Sequence, residues 1–471
     1  MQKLISIFQN LSLLPVGKVG EWFTANWLYL LGSIALVALA IALIKLLASA
    51  WLFWRRELFK QAIRYVLLEI KIPRETRKSP RAMEQVLAAI HALRNSPSDL
   101  LEKYWDGEVT RWFSLEMVSF GGEIHYYVRT YYKLRDLVEA AFFSYYPDIE
   151  IEEVPDYIER LPETLEELYA QGYDIWGTEM VLAKSEAYPI KTYPKFEAAE
   201  EEKEFDPASA FLEVLAKVKQ EEMVGIQILI APAKHEWCDQ YQDLVDELRA
   251  AQLKSLKKKK TKWDFSSGPL PALKEVGNDA TTVDPELFRH TLARTPGETD
   301  VLEAVERNLS KPAFDTLIRF FYLSPKPLFY DSFARRGIVG AFNQYSALNL
   351  NYFTQNWNMG TKVSKLRKPF VFVKARKEMR KRRLLCNYRR REMPPDTAVG
   401  RILTSHLLHW NVSKTFKMTT EAIATIFHPP TYVVLTAPHV PRVESRKGGP
   451  PAGIPIYGEE SDIAQFRGEQ Q

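Results

Sequence analysis

Between Lys362 and Arg391 the chain carries fourteen lysines or arginines and a single acid, Glu378. Side chains of this type in this density do one kind of chemistry: they hold polyanions. They can release counterions from nucleic acid or pair with anionic lipid headgroups. The residues placed to do so are Lys374, Arg376, Lys377, Arg380, Lys381, Arg382, Arg383, Arg389, Arg390 and Arg391. A solvated charged face explains the same run without a ligand. Aromatic interleaving is limited to Phe370, Phe372 and Tyr388, which is too thin for base stacking.

No catalytic constellation accompanies the charge. A GxxxxGK loop followed by Ser or Thr, whose amides would cradle phosphates, is absent; Gly360-Thr361-Lys362 lacks the upstream glycine and the following hydroxyl. GxGxxG, HExxH and GxSxG are absent too. His406 and His409 share a helix face at metal-ligand spacing but have no third partner in the sequence. His428, in FHPP, reads as a helix-end residue, and Glu152-Glu153 as an exposed strand pair. Cys238 and Cys386 are too few and too far apart for a disulfide framework or a CxxC site. The expectation is a protein that is not an enzyme and holds no cofactor or metal.

The element that must position the basic run lies near the other end of the chain. Trp27–Ile44 (WLYLLGSIALVALAIALI) holds no charge, and after Lys45 the apolar run continues to Trp54. Eighteen helical residues span about 27 Å at about 1.5 Å each, close to a ~30 Å hydrocarbon core. Ten of the eighteen are Leu, Ile or Val. They favour insertion by roughly 3–6 kcal/mol as an upper bound. Trp27, Trp51 and Trp54 fall where interfacial aromatic belts belong, and Lys45 can snorkel. Arg55, Arg56, Lys60 and Arg64 follow the span, against Lys3 and Lys18 before it. The positive-inside rule then predicts a single pass through the inner membrane, N-terminus outside and the rest cytoplasmic.

Downstream, periodicities of two and of 3.6 alternate. Tyr65–Ile72 reads as a strand, Ser79-Pro80 opens a helix with Met83, Val86, Leu87, Ile90 and Leu93 inward, and Val109–Val118 and Glu123–Thr130 form a hairpin about Gly121-Gly122. Leu134–Tyr145 reads as a helix with Leu134, Leu137, Val138 and Ala141 inward, and Ile149–Val154 as a strand. That β-α-β-β-α-β order is ferredoxin-like. A second such unit fits strands at Gly177–Ala183, Met223–Ala231 and Phe314–Leu323, a last strand near Leu348, and helices from Asp206-Pro207 to Lys219 and over Phe329–Tyr345. Further helices are expected at Trp237–Ala251, Asp300–Leu309, Ala398–His409 and Met418–Phe427.

The fold class is therefore α+β. The chain divides into an N-terminal tail (1–26), a transmembrane helix (27–54), ferredoxin-like domain 1 (64–155), ferredoxin-like domain 2 (173–355) with an insertion around 253–298, a basic helical segment (362–392), and C-terminal helices running into an extended Pro-rich tail (398–471).

Several phrases together resemble one family: YVLLEIKIPRE after the apolar helix, SPRAMEQVLAAIHAL, WFSLEMVSFGGEIHYYVRT, YPDIEIEEVPDY, YDIWGTEMVLAK with AYPIKTYP, and MTTEAIATIFHPP with PRVESRKGGPPAGIPI. They are similar to the membrane-anchored N-terminal region, a domain of unknown function, of conjugation-type HerA/FtsK-like ATPases of reduced-genome uncultured bacteria. The resemblance covers about Arg64–Ile456. In such proteins a segment like Thr420–Pro429 precedes the P-loop motor, and here the sequence ends at Gln471 where a motor would begin. The resemblance implies an anchor and platform, with the ATPase supplied in trans, in a type IV secretion or conjugation-like system that moves DNA. It implies a lipid bilayer as partner, allows DNA as another, and suggests a homo-oligomer because the related motors form rings. The alternative is a membrane-tethered nucleic-acid-binding protein acting without a motor.

Overall fold

The computed structural model describes residues 16–73, 78–97, 99–196, 206–249, 296–363, 372–404, 413–431 and 442–443. The acidic run at 197–205, the lysine run at 257–260, His406, His409 and the Pro-rich tail beyond 443 lie outside them. So does all of the expected insertion before 296.

Helix α1 (Val16–Gln61) runs without a break from before the apolar stretch to the start of the first strand. Its part from Leu31 is long and apolar enough to cross a membrane, with mean hydropathy 2.5 over its most apolar 18 residues and no protein covering them. The expected span, 27–54, is thus the middle of a longer helix, because nothing between Gly32 and Gln61 breaks it.

Ten strands form one sheet. They are β1 (Tyr65–Pro73), β2 (Phe113–Phe120), β3 (Glu123–Tyr131), β4 (Glu150–Val154), β5 (Tyr173–Leu182), β6 (Met223–Pro232), β7 (Ala313–Pro325), β8 (Phe353–Gln355), β9 (Phe416–Thr419) and β10 (Arg442–Val443). Apart from the two-residue parallel contact of β10 with β1, every pairing is antiparallel. The order β4-β1-β3-β2 continues into β6-β7-β5-β8, and β9 extends the start of β7. The join is β2 against β6, from Phe113 beside Ile230 to Phe120 beside Met223. β2 lies between β3 and β6, and β6 between β2 and β7, so neither strand leaves an edge open. The architecture is mixed α+β.

One face of the sheet carries α2 (Pro80–Ala92), α3 (Arg135–Tyr145) and α5 (Ser209–Ala216), while α4 (Leu165–Ala170) packs in the cluster on the other face. Ser79 caps α2, its hydroxyl accepting from the Arg81 N–H at 3.2 Å. Met83, Val86, Leu87 and Ile90 are all buried, as the 3.6-residue stripe demands. In α3 the expected inward Leu137 is exposed instead, and Phe142 fills the core; Val138, Ala141 and Phe142 hold the inward arc. Strand β2 starts at Phe113, four residues after Val109. The stretch 329–345 is a π-helical turn, Phe333–Ile338, followed by α7 (Val339–Asn343). α6 (Pro296–Leu309) starts earlier than Asp300, and Trp237 lies in a 3-10 turn, His235–Tyr241.

The segment expected as one helix over Met418–Phe427 is instead β9 followed by α10 (Thr420–Ile426). Ala422, Ile423, Ala424, Ile426 and Phe427 sit in the main core against α2. Two polar locks fix the segment. His428 bonds Asp206 at 3.0 Å, and both side chains are fully buried. Glu421 pairs with Lys311, which also holds Glu84 at 2.6 Å. Burial opposes the Asp206 charge, but attraction to His428 and hydrogen bonds from His428, Thr431 and Ala208 outweigh it and hold the carboxyl below its ordinary value. Glu421 is likewise held low, against burial, by Lys311, Thr192 and Arg307. Carboxylates depressed in the folded state stabilise above their unfolded pKa, about 4, and lose that stabilisation as pH falls through the folded value. We therefore expect the 413–431 segment to loosen below about pH 4. Limited proteolysis from pH 7 down to 3 should show cleavage near this segment appearing before cleavage of the sheet. Asp206→Asn should shrink the acid-dependent part.

Candidate functional site

The basic segment folds as α8 (Val373–Arg390), and it lies across the middle of the sheet on the face opposite α2. A row of polar side chains waits beneath it. Cross-strand register sets Glu116 on β2 beside Gln227 on β6, Gln227 beside Arg319 on β7, and Arg319 beside Glu179 on β5. All four are buried. Charges in that position survive only when paired.

Arg391, just past the helix, supplies the strongest pair. It ends α8 in the left-handed region at φ 51°, a backbone state that favours glycine or asparagine. From there its guanidinium turns back into the sheet. Its Nε lies 2.7 Å from Glu116 Oε1 and its Nη2 donates to Oε2 at 2.8 Å. Asp156 pairs with Nη1, and the Tyr157 ring lies 5.0 Å from the guanidinium carbon. Burial disfavours the Arg391 charge, but Glu116, Tyr157 and Asp156 together hold it well above the usual range. The backbone is fixed as well, because Trp112 donates its indole N–H to the Arg391 carbonyl at 2.7 Å.

The second pair is weaker. Arg319 Nη2 reaches Glu179 Oε1 at 3.4 Å, in one contact only. Burial pushes the Glu179 carboxyl up and the Arg319 guanidinium down, and the remaining attractions do not offset it. Arg319 also donates to the Asn387 carbonyl of α8, and Ser413 donates to Glu179 at 2.9 Å. Between the pairs, Gln227 donates to Glu116 and to the Tyr388 carbonyl, both at 3.3 Å. Tyr388 and Tyr157 share a hydroxyl contact at 2.7 Å.

Close approach of α8 depends on Gly225. A Cβ there would collide with the Tyr388 ring and hydroxyl and with Phe321. The Tyr388 and Phe321 rings meet edge to face at 4.4 Å.

Of the expected polyanion ligands, Lys381, Arg383 and Arg391 are buried. Lys381 bonds Tyr169 at 3.1 Å and pairs with Asp174; Arg383 donates to the Asn358 carbonyl at 2.7 Å. Arg380 donates to three carbonyls, at Trp357, Gly360 and Lys362, and Arg389 to those of Ile158 and Leu161. Arg382 is exposed but pairs with Glu166. Arg376 is half-buried, while Lys374, Lys377 and Arg390 face solvent. The segment is a strap that ties β2, β5, β6 and β7 together as much as it is a charged surface.

Of the residues expected at the membrane interface, Trp51, Trp54, Arg55 and Arg56 gather at the base of α1, while Trp27 lies about 36 Å away along the same helix. Trp27, Lys45, Trp51 and Trp54 are exposed. Trp51 donates to the Tyr104 carbonyl at 3.0 Å, and Arg55 Nε to the Trp105 carbonyl. Both acceptors lie in a π-helical turn, Glu102–Asp106, that ends on Gly107 at φ 69°. A Cβ on Gly107 would overlap the Arg55 backbone, so the turn sits directly on the helix. Arg56 pairs with Asp396 at 3.5 Å and Lys60 with Glu392 at 3.4 Å. The Ser49 hydroxyl accepts from the Val399 N–H, on α9 (Ala398–Leu403), at 3.4 Å.

A family model described as a domain of unknown function, DUF8128, matches residues 55–439. The chain belongs to that family. The DUF8128 region opens at Arg55, the residue that meets Trp105, and leaves the apolar stretch of α1 outside. It takes in the whole sheet up to β9, with α8 and α10. No curated protein matches the chain.

Sequence reasoning missed the buried row. Its signal was present as one polar residue in the middle of each apolar strand: Glu116 in FSLEMVSF, Gln227 in MVGIQILIAP, Arg319 in AFDTLIRFFYLSP. Gly225 was a second signal, since glycine inside a strand marks a close backbone approach.

Proposed function

We propose that this chain is a non-catalytic platform, anchored by a single pass in the inner membrane with its body in the cytoplasm. On this reading it holds a separately encoded HerA/FtsK-type P-loop ATPase of a type IV secretion or conjugation-like DNA-translocation system. One observation carries the proposal. The apolar helix enters the folded body without a linker and is gripped there by Trp51, Arg55, Arg56 and Lys60. A motor that moves polymer through a bilayer needs a mount of fixed orientation, and a helix clamped on its last three turns supports that role. The excess of Lys and Arg after the span supports a cytoplasmic body.

The two halves of the sheet are read as ferredoxin-like units. Each has the spatial order fourth, first, third, second strand: β4-β1-β3-β2 and β8-β5-β7-β6. The first alternates with helices in the β-α-β-β-α-β sequence, and the second does so with α6 inserted between β6 and β7. Such units carry no chemistry by themselves, which suits a platform.

The test is capture in detergent. The tagged full chain, extracted from its native membrane, should bring down a P-loop ATPase that lacks an anchor of its own. Extraction with intact fold and no such ATPase at any salt concentration sinks the proposal. Among the described residues of α8, direct DNA binding without a motor rests on Lys374, Lys377 and Arg390, which face solvent. With so few phosphate contacts its affinity would be weak and its salt dependence shallow.

A further inference from the structure

Around the base of α1 the body exposes apolar side chains that no packing within the fold requires. Leu101 is 72% exposed, Trp105 62% and Leu403 64%. Leu100, Tyr104 and Ile402 beside them are exposed as well. These six come from two segments far apart in sequence, the π-helical turn with its approach and the end of α9.

Both segments are pinned to α1 at one depth. Tyr104 and Trp105 are held by Trp51 and Arg55, and α9 is held by Ser49. At about 100° per residue, Ser49 and Trp51 point to nearly opposite sides of a helix. The two apolar segments therefore flank the helix on both sides, as a collar. About twenty residues separate Leu30 from Ser49, which is the length a ~30 Å hydrocarbon core takes up. The collar then falls in the headgroup layer.

Its chemistry fits that layer. Trp51, Trp54 and Trp105 cluster, with ring centroids 5.4 and 5.8 Å from Trp51. The Arg55 guanidinium lies 5.9 Å from the Trp51 and Trp54 rings, and the Lys103 ammonium 5.3 Å from the Tyr104 ring. Indole rings beside cations, with aliphatic side chains exposed between them, match the boundary where acyl chains meet phosphates.

We infer that this collar is a second membrane contact, seated in the phospholipid headgroup and glycerol layer, so that the body lies against the bilayer instead of standing off it. The inference rests on α1 being a span. The occupant is lipid because the patch is continuous with the lipid-facing surface of the helix and lies at its exit.

The test uses the full chain with Cys238→Ser and Cys386→Ser, reconstituted in vesicles of phosphatidylcholine and phosphatidylglycerol. Nitroxide labels are placed singly at Leu101→Cys, Leu403→Cys, Leu39→Cys on the span and Leu328→Cys, past the end of β7 remote from Asp315 and the base of α1. Accessibility to oxygen and to a water-soluble nickel chelate then gives each label's depth. Labels at 101 and 403 should be shifted from the aqueous value at 328 towards the buried value at 39. If 101 and 403 match 328 while 39 reads hydrocarbon, the collar is overturned and the span stands. If 39 itself reads aqueous, the span fails and the collar with it.

Discussion

Arg391→Met is expected to destabilise the folded chain by about 3–5 kcal/mol, the usual effect of removing one partner of a buried ion pair. The residue left behind is Glu116, which has no exposed surface and loses a two-point contact at 2.7 and 2.8 Å. Its remaining donors are the neutral groups of Ser114, Tyr157 and Gln227. Asp156 suffers less, because its side chain is 35% exposed and can be rehydrated. Urea unfolding of the full chain in nanodiscs, followed by near-ultraviolet dichroism, would give the shift in midpoint. The discriminating variant is the pair Arg391→Met with Glu116→Leu. With both charges gone the core holds an apolar contact, and much of the lost stability should return. A single-variant loss below about 1 kcal/mol would mean that the pair behaves as a solvated one.

The second large effect concerns the span. Leu36→Arg with Leu39→Arg places two guanidinium groups near mid-bilayer, at about 2.5–3.5 kcal/mol each. Together they cost about 5–7 kcal/mol, against the roughly 2.4–4.8 kcal/mol that the eight remaining Leu, Ile and Val residues contribute to insertion. Both leucines are exposed, so the body has no packing to lose. The variant should move from the carbonate-resistant membrane pellet to the soluble or aggregated fraction, while Leu36→Ile with Leu39→Ile stays in the pellet. Retention of the double-arginine chain in the pellet would mean that α1 does not hold it in the membrane by crossing.

What the sequence disclosed and what it hid divide along physical lines. Local periodicity is written in neighbouring residues, so the inward stripe of α2, the strand at β6 and a helix within the basic run were legible, although that helix, Val373–Arg390, is shorter than the expected 362–392. Leu137 was misread because a helix of eleven residues offers several apolar arcs, and only the neighbouring sheet decides between Leu137 and Phe142. The extended start of MTTEAIATIF was hidden because its partner is β7, about a hundred residues away. The partners of the basic run were hidden for the same reason. Fourteen cations in thirty residues look like a surface when the groups that pair with them, Glu116 on β2, Asp174 on β5 and acceptors between Asp156 and Tyr169, are far away in sequence. Gly225 and the mid-strand Glu116, Gln227 and Arg319 were the readable traces of that helix lying on the sheet.

The junction of β2 with β6 has a consequence in time as well as in space. Strand β2 finishes at Phe120, and the strand that covers its edge is complete only at Pro232. At about 5–20 residues per second of synthesis, that edge stays open for roughly 5–20 s. During that interval an emerging chain presents an apolar, unpaired strand to other nascent chains beside it. The first half of this protein is then most exposed to misassembly while its own second half is still being made, and slow codons between 121 and 222 would lengthen the hazard.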